Sequence, residues 1–326
     1  MNLHENKTLF RQAVQATADR MQIPAIYVEK DYWVTYALYT IFQDEIGKET
    51  IFKGGTALSK CFKMIERFSE DIDLVVIRKE GETDNRLKTK LKTISACIEP
   101  VLPEIELEGL THKRGMNRKT AHQFPKEFTG AYGQIRDVIV LETTWLGNYE
   151  PYGEQTIASF VGGMMLEANQ HQIASQYHLL PFTVQVLSPL RTLCEKIMSL
   201  VRFSHTDTPI ADLRKKVRHL YDLHQLLQLE EYSGFLRSEA FEKILIDVGR
   251  DDFKSFRNNN QWLKIHPADA MMFGNLENTW NQIKDAYTRD FKNLVFGKLP
   301  DEASILDCLK SIQSRLKTVS WIEFEH

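Results

Sequence analysis

No stretch of this 326-residue chain comes near the roughly 18 consecutive apolar residues of a membrane span. The opening MNLHENKTLFRQ also lacks the apolar core of a secretory signal. Both absences predict a cytoplasmic protein with no membrane partner. Cysteine is scarce: Cys61, Cys97, Cys194 and Cys308 lie far apart with no CxxC, which excludes a zinc ribbon and a disulfide framework. Charge of one sign is lacking too. Forty-one basic against 44 acidic residues leave a net charge of −3, so nucleic acid could be gripped only by a local patch. The ten histidines form no HExxH, and His219 and His224, five apart, do not align on a helix. A Walker A loop and a Ser-His-Asp hydrolase pattern are absent, as are internal repeats and low-complexity tracts.

What is present divides the chain in two. Residues 7–22 and 28–45 carry apolar residues at helical spacing. Near residue 50 the texture changes to a short strand (51–52), a glycine turn (54–55), a helix (56–65) and an alternating strand (71–77). A helix over 84–101 and strands over 105–110, 120–128 and 135–145 follow. Beyond about 180 the pattern is mainly helical. Ser188-Pro189 opens a helix as N-cap and first-turn proline, with Leu190, Leu193, Cys194, Ile197 and Val201 as its apolar stripe. Further helices are expected from Pro209 and over 239–248, 275–291 and 302–317. The expected fold class is α/β (α+β): a first lobe over 1–165 with a small mixed sheet, then a mainly helical lobe over 166–326 that completes a cleft.

The chemistry concentrates in "IFKGGTALSKCFKMIERFSEDIDLVVIRK", residues 51–79. Alternate residues of a strand share a face, so Asp71 and Asp73 point together, with Ser69 in the same parity, while Ile72, Leu74 and Val76 point into a core. Two close carboxylates repel unless a cation sits between them, and hard divalent ions take oxygen ligands. Taken alone, DxD equally fits a solvated edge strand. Gly54-Gly55-Thr56, between strand and helix, offers backbone N–H groups to an anion, flanked by Lys53 and Lys60; such a pair alone is more often just a tight turn. Together they are the parts that a nucleoside triphosphate (NTP) requires.

"KGGTALSK" followed by "RFSEDIDL" resembles the nucleotidyltransferase superfamily and, more narrowly, the AbiEii/AbiGii toxin family of abortive-infection and toxin–antitoxin systems. "EKDYWVT" (29–35), "LSPLRTLCEKIMSL" with Lys196, and "RHLYDL" ending in Asp222 extend the likeness over roughly residues 28–225. One departure stands out: His219 follows Arg218 where the family commonly has an acidic residue. The resemblance implies a nucleotidyltransferase fold and a Mg²⁺- or Mn²⁺-dependent toxin that moves a nucleotide from an NTP to RNA, with tRNA as acceptor and a cognate antitoxin as partner. It implies Asp71, Asp73, Lys196 and Asp222 as catalytic residues. Lys53, Gly54, Gly55, Thr56, Lys60, Ser69 and Lys196 would then bind nucleotide, and Asp71 and Asp73 hold metal.

Glu142 interrupts the apolar run of "VIVLETTW" and is the candidate third metal ligand, with Asp137 as its substitute and a strand-end glutamate facing water as the alternative. Lys196 is expected on the polar side of its helix, as a mobile charge or as a surface lysine paired with Glu195. Arg218 and Asp222 are spaced as a helix ion pair, and Lys30 and Asp31 fit either a helix surface or the cleft. Basic segments 112–119 and 214–218 are candidate RNA contacts or solvated faces. Two other readings stay open: a small-molecule or protein acceptor, and a non-catalytic nucleotide-binding module.

Overall fold

The computed structural model describes residues 2–113, 115–130, 136–256, 259–322 and 324. They fall into two compact units: Met1–Lys63 with Phe68–Trp145 and Tyr152–Leu187, and Met64–Arg67 with Leu146–Pro151 and Ser188–His326.

The first unit is a mixed α/β layer structure. Helix α1 (Lys7–Met21) starts on Asn6, whose side chain accepts from the Leu9 N–H, and stops at Gln22 in a left-handed conformation, φ 57°. Helix α2 (Ala25–Gln43) follows Pro24 and is buried on almost every side, with Glu29, Lys30 and Asp31 among its buried residues. Strand β1 (Thr50–Lys53) runs directly into α3 (Gly54–Lys60), and β2 (Ile72–Val76) returns beside β1. Helix α4 (Asp84–Ile98) is capped by the Thr83 hydroxyl. Then come β3 (Glu104–Ile105), β4 (Asn117–His122), β5 (Ile139–Thr144), β6 (Tyr152–Ile157), α5 (Phe160–Glu167), α6 (His171–Gln176) and β7 (Phe182–Leu187).

The seven strands are ordered β3-β4-β5-β2-β1-β7-β6. Pairings β2–β5 and β1–β7 are parallel and the other four antiparallel, so the sheet is mixed. Val28, Trp33 and Leu38 of α2 and Leu87, Leu91 and Ile94 of α4 pack with Phe52, Ile72, Leu74, Leu141 and Val186 of the strands in one core. Each such large apolar side chain contributes about 1.5–3 kcal/mol by burial. The parity of β2 is as expected: Ile72, Leu74 and Val76 enter this core, which leaves Asp71 and Asp73 on the opposite side.

In the second unit every named element is helical: α7 (Pro189–Phe203), α8 (Pro209–Arg214), α9 (Val217–Leu227), α10 (Glu230–Arg237), α11 (Glu239–Ser255), α12 (Met271–Gly274), α13 (Leu276–Asp285) and α14 (Glu302–Leu316). Ser188 caps α7 through Leu190 N at 3.3 Å. Segment 64–67 is tied in by a bridge between Arg67 and Val295, and segment 146–151 by Asn148 N donating to Asp251 at 2.8 Å. Among the described residues no helix is long and apolar enough to cross a membrane.

The expected elements need revision in several places: the helix expected over 56–65 ends at Lys60, and the strand expected over 120–128 is Asn117–His122. The two glycines are the first turn of α3 rather than a turn ahead of it, because Gly54 takes the positive φ that the strand-to-helix corner demands. The strand expected over 105–110 reduces to Glu104–Ile105, since Leu107, Leu110 and Thr111 close a turn in which the Leu110 and Thr111 N–H groups donate to the Leu107 carbonyl. Strand β6 lies in a stretch with no expected element, and β7 lies beyond 180, where the expected pattern is mainly helical. Their signal was present in β7, where Val184 and Val186 alternate into the core.

Candidate active site

The corner between β1 and α3 is built around the absence of a side chain. Gly54 has φ +82°, and a Cβ there would lie 2.2 Å from Oδ2 of Asp73. Only glycine meets both demands. The start of α3, where backbone N–H groups have no partner within the helix, is thereby pressed against the acidic strand. Thr56 fixes the approach: its hydroxyl donates to the Asp71 carbonyl at 2.6 Å and lies 3.0 Å from the Ser69 hydroxyl. Gly54, Thr56, Ser69, Asp71 and Asp73 are therefore brought together.

Strand register adds the next members. Lys53 of β1 and Glu142 of β5 both stand opposite Asp73, and Lys119 of β4 stands opposite Glu142. The Asp73 carboxyl is pushed up to about 7, first by burial and then by the charges of Glu142 and Asp71, against Lys53 and Lys119. A carboxyl whose ionisation is opposed by two neighbouring acids suits a hard divalent cation, which would relieve the repulsion. Among the described residues no three His, Cys, Asp or Glu side chains are already gathered as a ligand group. Cationic side chains hold two of the acids instead: Arg136 Nη1 is 3.1 Å from Asp71 and Lys119 Nζ is 2.8 Å from Glu142. Asp137, the substitute ligand, pairs with Lys126 at 2.8 Å.

Residues 29–31 are interior anchors rather than surface charges. Glu29 accepts from the Glu127 and Phe128 N–H groups at 2.6 and 3.2 Å, and burial pushes its carboxyl up to about 7. Lys30, fully buried, donates to Glu70 and to the Arg136 carbonyl. Burial lowers the Lys30 ammonium and raises the Glu70 carboxyl from their ordinary ranges. Asp31 accepts from Phe160 N at 2.7 Å and pairs with Lys60, which also donates to Thr35 at 2.6 Å. The Lys60 ammonium is thus buried in an ion pair, and Lys30, Asp31, Glu70 and Lys60 frame the corner from within.

The second unit holds the other candidates. Arg67 grips Asp222 with both arms of its guanidinium, at 2.6 and 2.7 Å, and Lys196 Nζ donates to the same carboxylate at 2.6 Å. Burial works against ionisation of Asp222, yet the two cations outweigh it and hold the carboxyl well below its usual range. Lys196 is not the solvent-facing charge expected of it: it is buried on α7, and burial lowers its ammonium. His219, at the departure from the family motif, sits 3.5 Å from Lys196. Burial and the neighbouring lysines hold its imidazole neutral, well below the ordinary range. Asp222 is bound by Lys196 and Arg67, so the expected Arg218 pairing gives way to theirs.

Sequence reasoning missed Arg67, Glu70 and Arg136. The first two stand inside the quoted "RFSED" and were passed over because nothing local marks their partners.

The basic segments are largely neutralised. Lys113 pairs with Glu104 and Glu106, Arg118 with Glu104, Arg214 with Asp285, and Lys215 with Asp212. Arg114 lies outside the described residues.

A family model described as the nucleotidyl transferase AbiEii toxin of type IV toxin–antitoxin systems matches residues 36–307. Among solved structures the chain is similar to the nucleotidyltransferase toxin MenT4 of Mycobacterium tuberculosis H37Rv, at 14% identity and a TM-score of 0.49, over 94% of this chain and 90% of that one. None of the curated proteins matches it.

Proposed function

The chain belongs to the AbiEii nucleotidyltransferase toxins of type IV toxin–antitoxin systems, and from that premise we propose that it transfers a nucleoside monophosphate from an NTP to RNA, with Mg²⁺ bound by Asp71, Asp73 and Glu142. The observation that carries this is the seating of Gly54 on Asp73 with Glu142 in register beside it. A phosphate-binding corner and an acidic ledge are then one structure. Family membership brings an NTP substrate and an antitoxin partner; Mg²⁺, or Mn²⁺ in its place, and tRNA as the acceptor are part of the proposal.

A bound divalent ion supplies Lewis-acid polarisation of phosphoryl oxygen and lowers the pKa of an attacking hydroxyl. The protein's part is positioning and charge. The N–H groups of Gly54, Gly55 and Thr56 cradle phosphate oxygens, with Lys53 beside them. Thr56 and Ser69 hold the corner in shape, and Lys60, fixed to Asp31, supports α3 from below. Within the second unit, Asp222 holds Lys196 and Arg67 in place, and the catalytic roles that the family resemblance implies for Lys196 and Asp222 are part of the proposal. RNA finds cations and rings together in the second unit, where Arg202 lies 4.9 Å from the Phe203 ring centre and 4.4 Å from that of Phe256, and Lys216 lies 4.5 Å from Phe203. Such clusters favour unpaired nucleotides.

The test is incubation with each α-labelled NTP, total RNA and Mg²⁺. Label should enter RNA from at least one donor, and Asp71→Asn and Asp73→Asn should each reduce it at least tenfold. Transfer by the double variant at more than a tenth of the wild-type rate would remove the metal assignment. A smaller acceptor is the second reading, favoured by the internal pairing of Lys113, Arg118 and Lys119. Label appearing outside the RNA fraction would select it.

A further inference from the structure

We propose that Arg136 is a displaceable counter-ion of the metal site: its guanidinium neutralises Asp71 in the metal-free protein and moves onto Glu70 when a divalent cation takes Asp71. The inference rests on the reading of Asp71 and Asp73 as metal ligands and adds a residue that competes with the metal.

The main chain of Arg136 is fixed from two sides. Its N–H donates to Glu70 Oε1 at 2.9 Å, and its carbonyl accepts from the buried Lys30 ammonium, which also binds Glu70. The side chain is another matter. It is 39% exposed, its Nη1 lies 3.1 Å from Asp71 Oδ1, and the same Nη1 is already 3.8 Å from Glu70 Oε1. A small rotation about the side-chain bonds therefore exchanges one carboxylate for the other without moving the backbone. The two acceptors differ in what else competes for them. Glu70 is buried and held by Lys30, whereas Asp71 is part-exposed and beside Asp73, whose Oδ2 lies against Gly54.

Electrostatics gives the device its sense. A monovalent guanidinium partly screens Asp71 from Asp73, so the acidic ledge is stable before metal arrives. A dication beside the same carboxylate repels the guanidinium and binds both aspartates, so it wins at sufficient concentration. Glu70 then receives the displaced charge. Its own buried carboxylate, shared between Lys30 and Arg136, gains rather than loses compensation. Arg136 thus acts through Asp71 as a positioning residue and sets the metal concentration at which the site loads.

The sign of the effect separates this role from a structural one. Removing a loop anchor loosens a metal site, whereas removing a competitor tightens it. Mn²⁺ binding to the full chain without NTP or RNA, followed by electron paramagnetic resonance of the free ion, should be about fivefold tighter in Arg136→Gln than in wild type, the scale of a part-exposed ion pair. Arg136→Lys keeps a competing cation and should bind Mn²⁺ as wild type does. Equal or weaker binding by Arg136→Gln overturns the proposal. Asp71→Asn and Asp73→Asn distinguish the other failure: if they bind Mn²⁺ as tightly as wild type, the metal reading itself falls, whatever Arg136 does.

Discussion

Two carboxylates, one in each unit, sit in opposite electrostatic company. Asp222 in the helical unit has two cations to itself, Arg67 by a two-armed grip and Lys196 by a single bond, and stays ionised although fully buried. Asp73 in the sheet unit shares its surroundings with Asp71 and Glu142 and is pushed up to about 7. One carboxylate is oversupplied with positive charge and the other with negative. The lesson concerns purpose. A saturated buried pair is completed by the protein itself and organises its own cations. A ledge of mutually repelling acids is incomplete, and the component we propose for it is a cation from solution.

The comparison breaks most visibly at Asp222. Asp222→Ala removes the buried carboxylate that Arg67 and Lys196 share, a loss of about 3–5 kcal/mol for breaking a buried pair from one side. Urea denaturation should show the midpoint falling steeply. A midpoint shift equivalent to less than 1 kcal/mol would mean that the cluster is open to water.

Next in size is Gly54→Ala. A left-handed backbone costs an alanine about 1–2 kcal/mol, and the new Cβ meets Asp73 Oδ2. Thermal unfolding should register the first cost. Transfer activity should fall further than stability does, because the corner and the acid are forced apart.

A third outcome concerns pH. The Asp73 carboxyl lies near 7 when folded against 3.8 in its ordinary state. In that window the folded protein holds more protons than the unfolded one, so metal-free stability decreases as pH rises from 3.8 to about 7. Asp73→Asn should remove this part of the slope while leaving the contribution of Glu29, also near 7. Identical stability–pH profiles for variant and wild type would show that Asp73 ionises freely.

The smallest effect is expected at Lys119→Gln. The Lys119–Glu142 pair is part-exposed on both sides, so the change in stability should stay within about 1 kcal/mol. Losing the lysine's charge should still raise the Asp73 carboxyl further, since Lys119 is among the groups that lower it.

The sequence made the corner legible because its parts are close in the chain. Gly54 and Asp73 are separated only by α3 and the connection over 61–71, and strand parity alone puts Asp71 and Asp73 on one side. Glu142 was visible as a charge inside an apolar run, and it stands in register with Asp73. The networks around the corner were not legible. Arg67 and Asp222 are 155 residues apart, and Lys30 meets Glu70 across 40. Local patterning carries no record of such pairings, since a buried lysine and an exposed one look alike in sequence. Lys196 shows the same limit: helical spacing put it off the apolar stripe, but a carboxylate rather than water covers that side. Segment 112–119 read as an RNA contact or a solvated face for the matching reason, because Glu104 and Glu142 approach it from other strands and Glu106 from the loop after β3.

The central claim is that the acids around Asp73 form the seat of a divalent cation. Carboxyl ¹³C resonances from aspartate-labelled protein, followed against pH with and without Mg²⁺, test it most directly. Without metal, Asp73 should titrate near 7 while Asp222 stays ionised throughout the folded range. With saturating Mg²⁺, the Asp73 titration should move down by at least two pH units and Asp222 should not respond. An Asp73 titration that Mg²⁺ leaves in place would contradict the account.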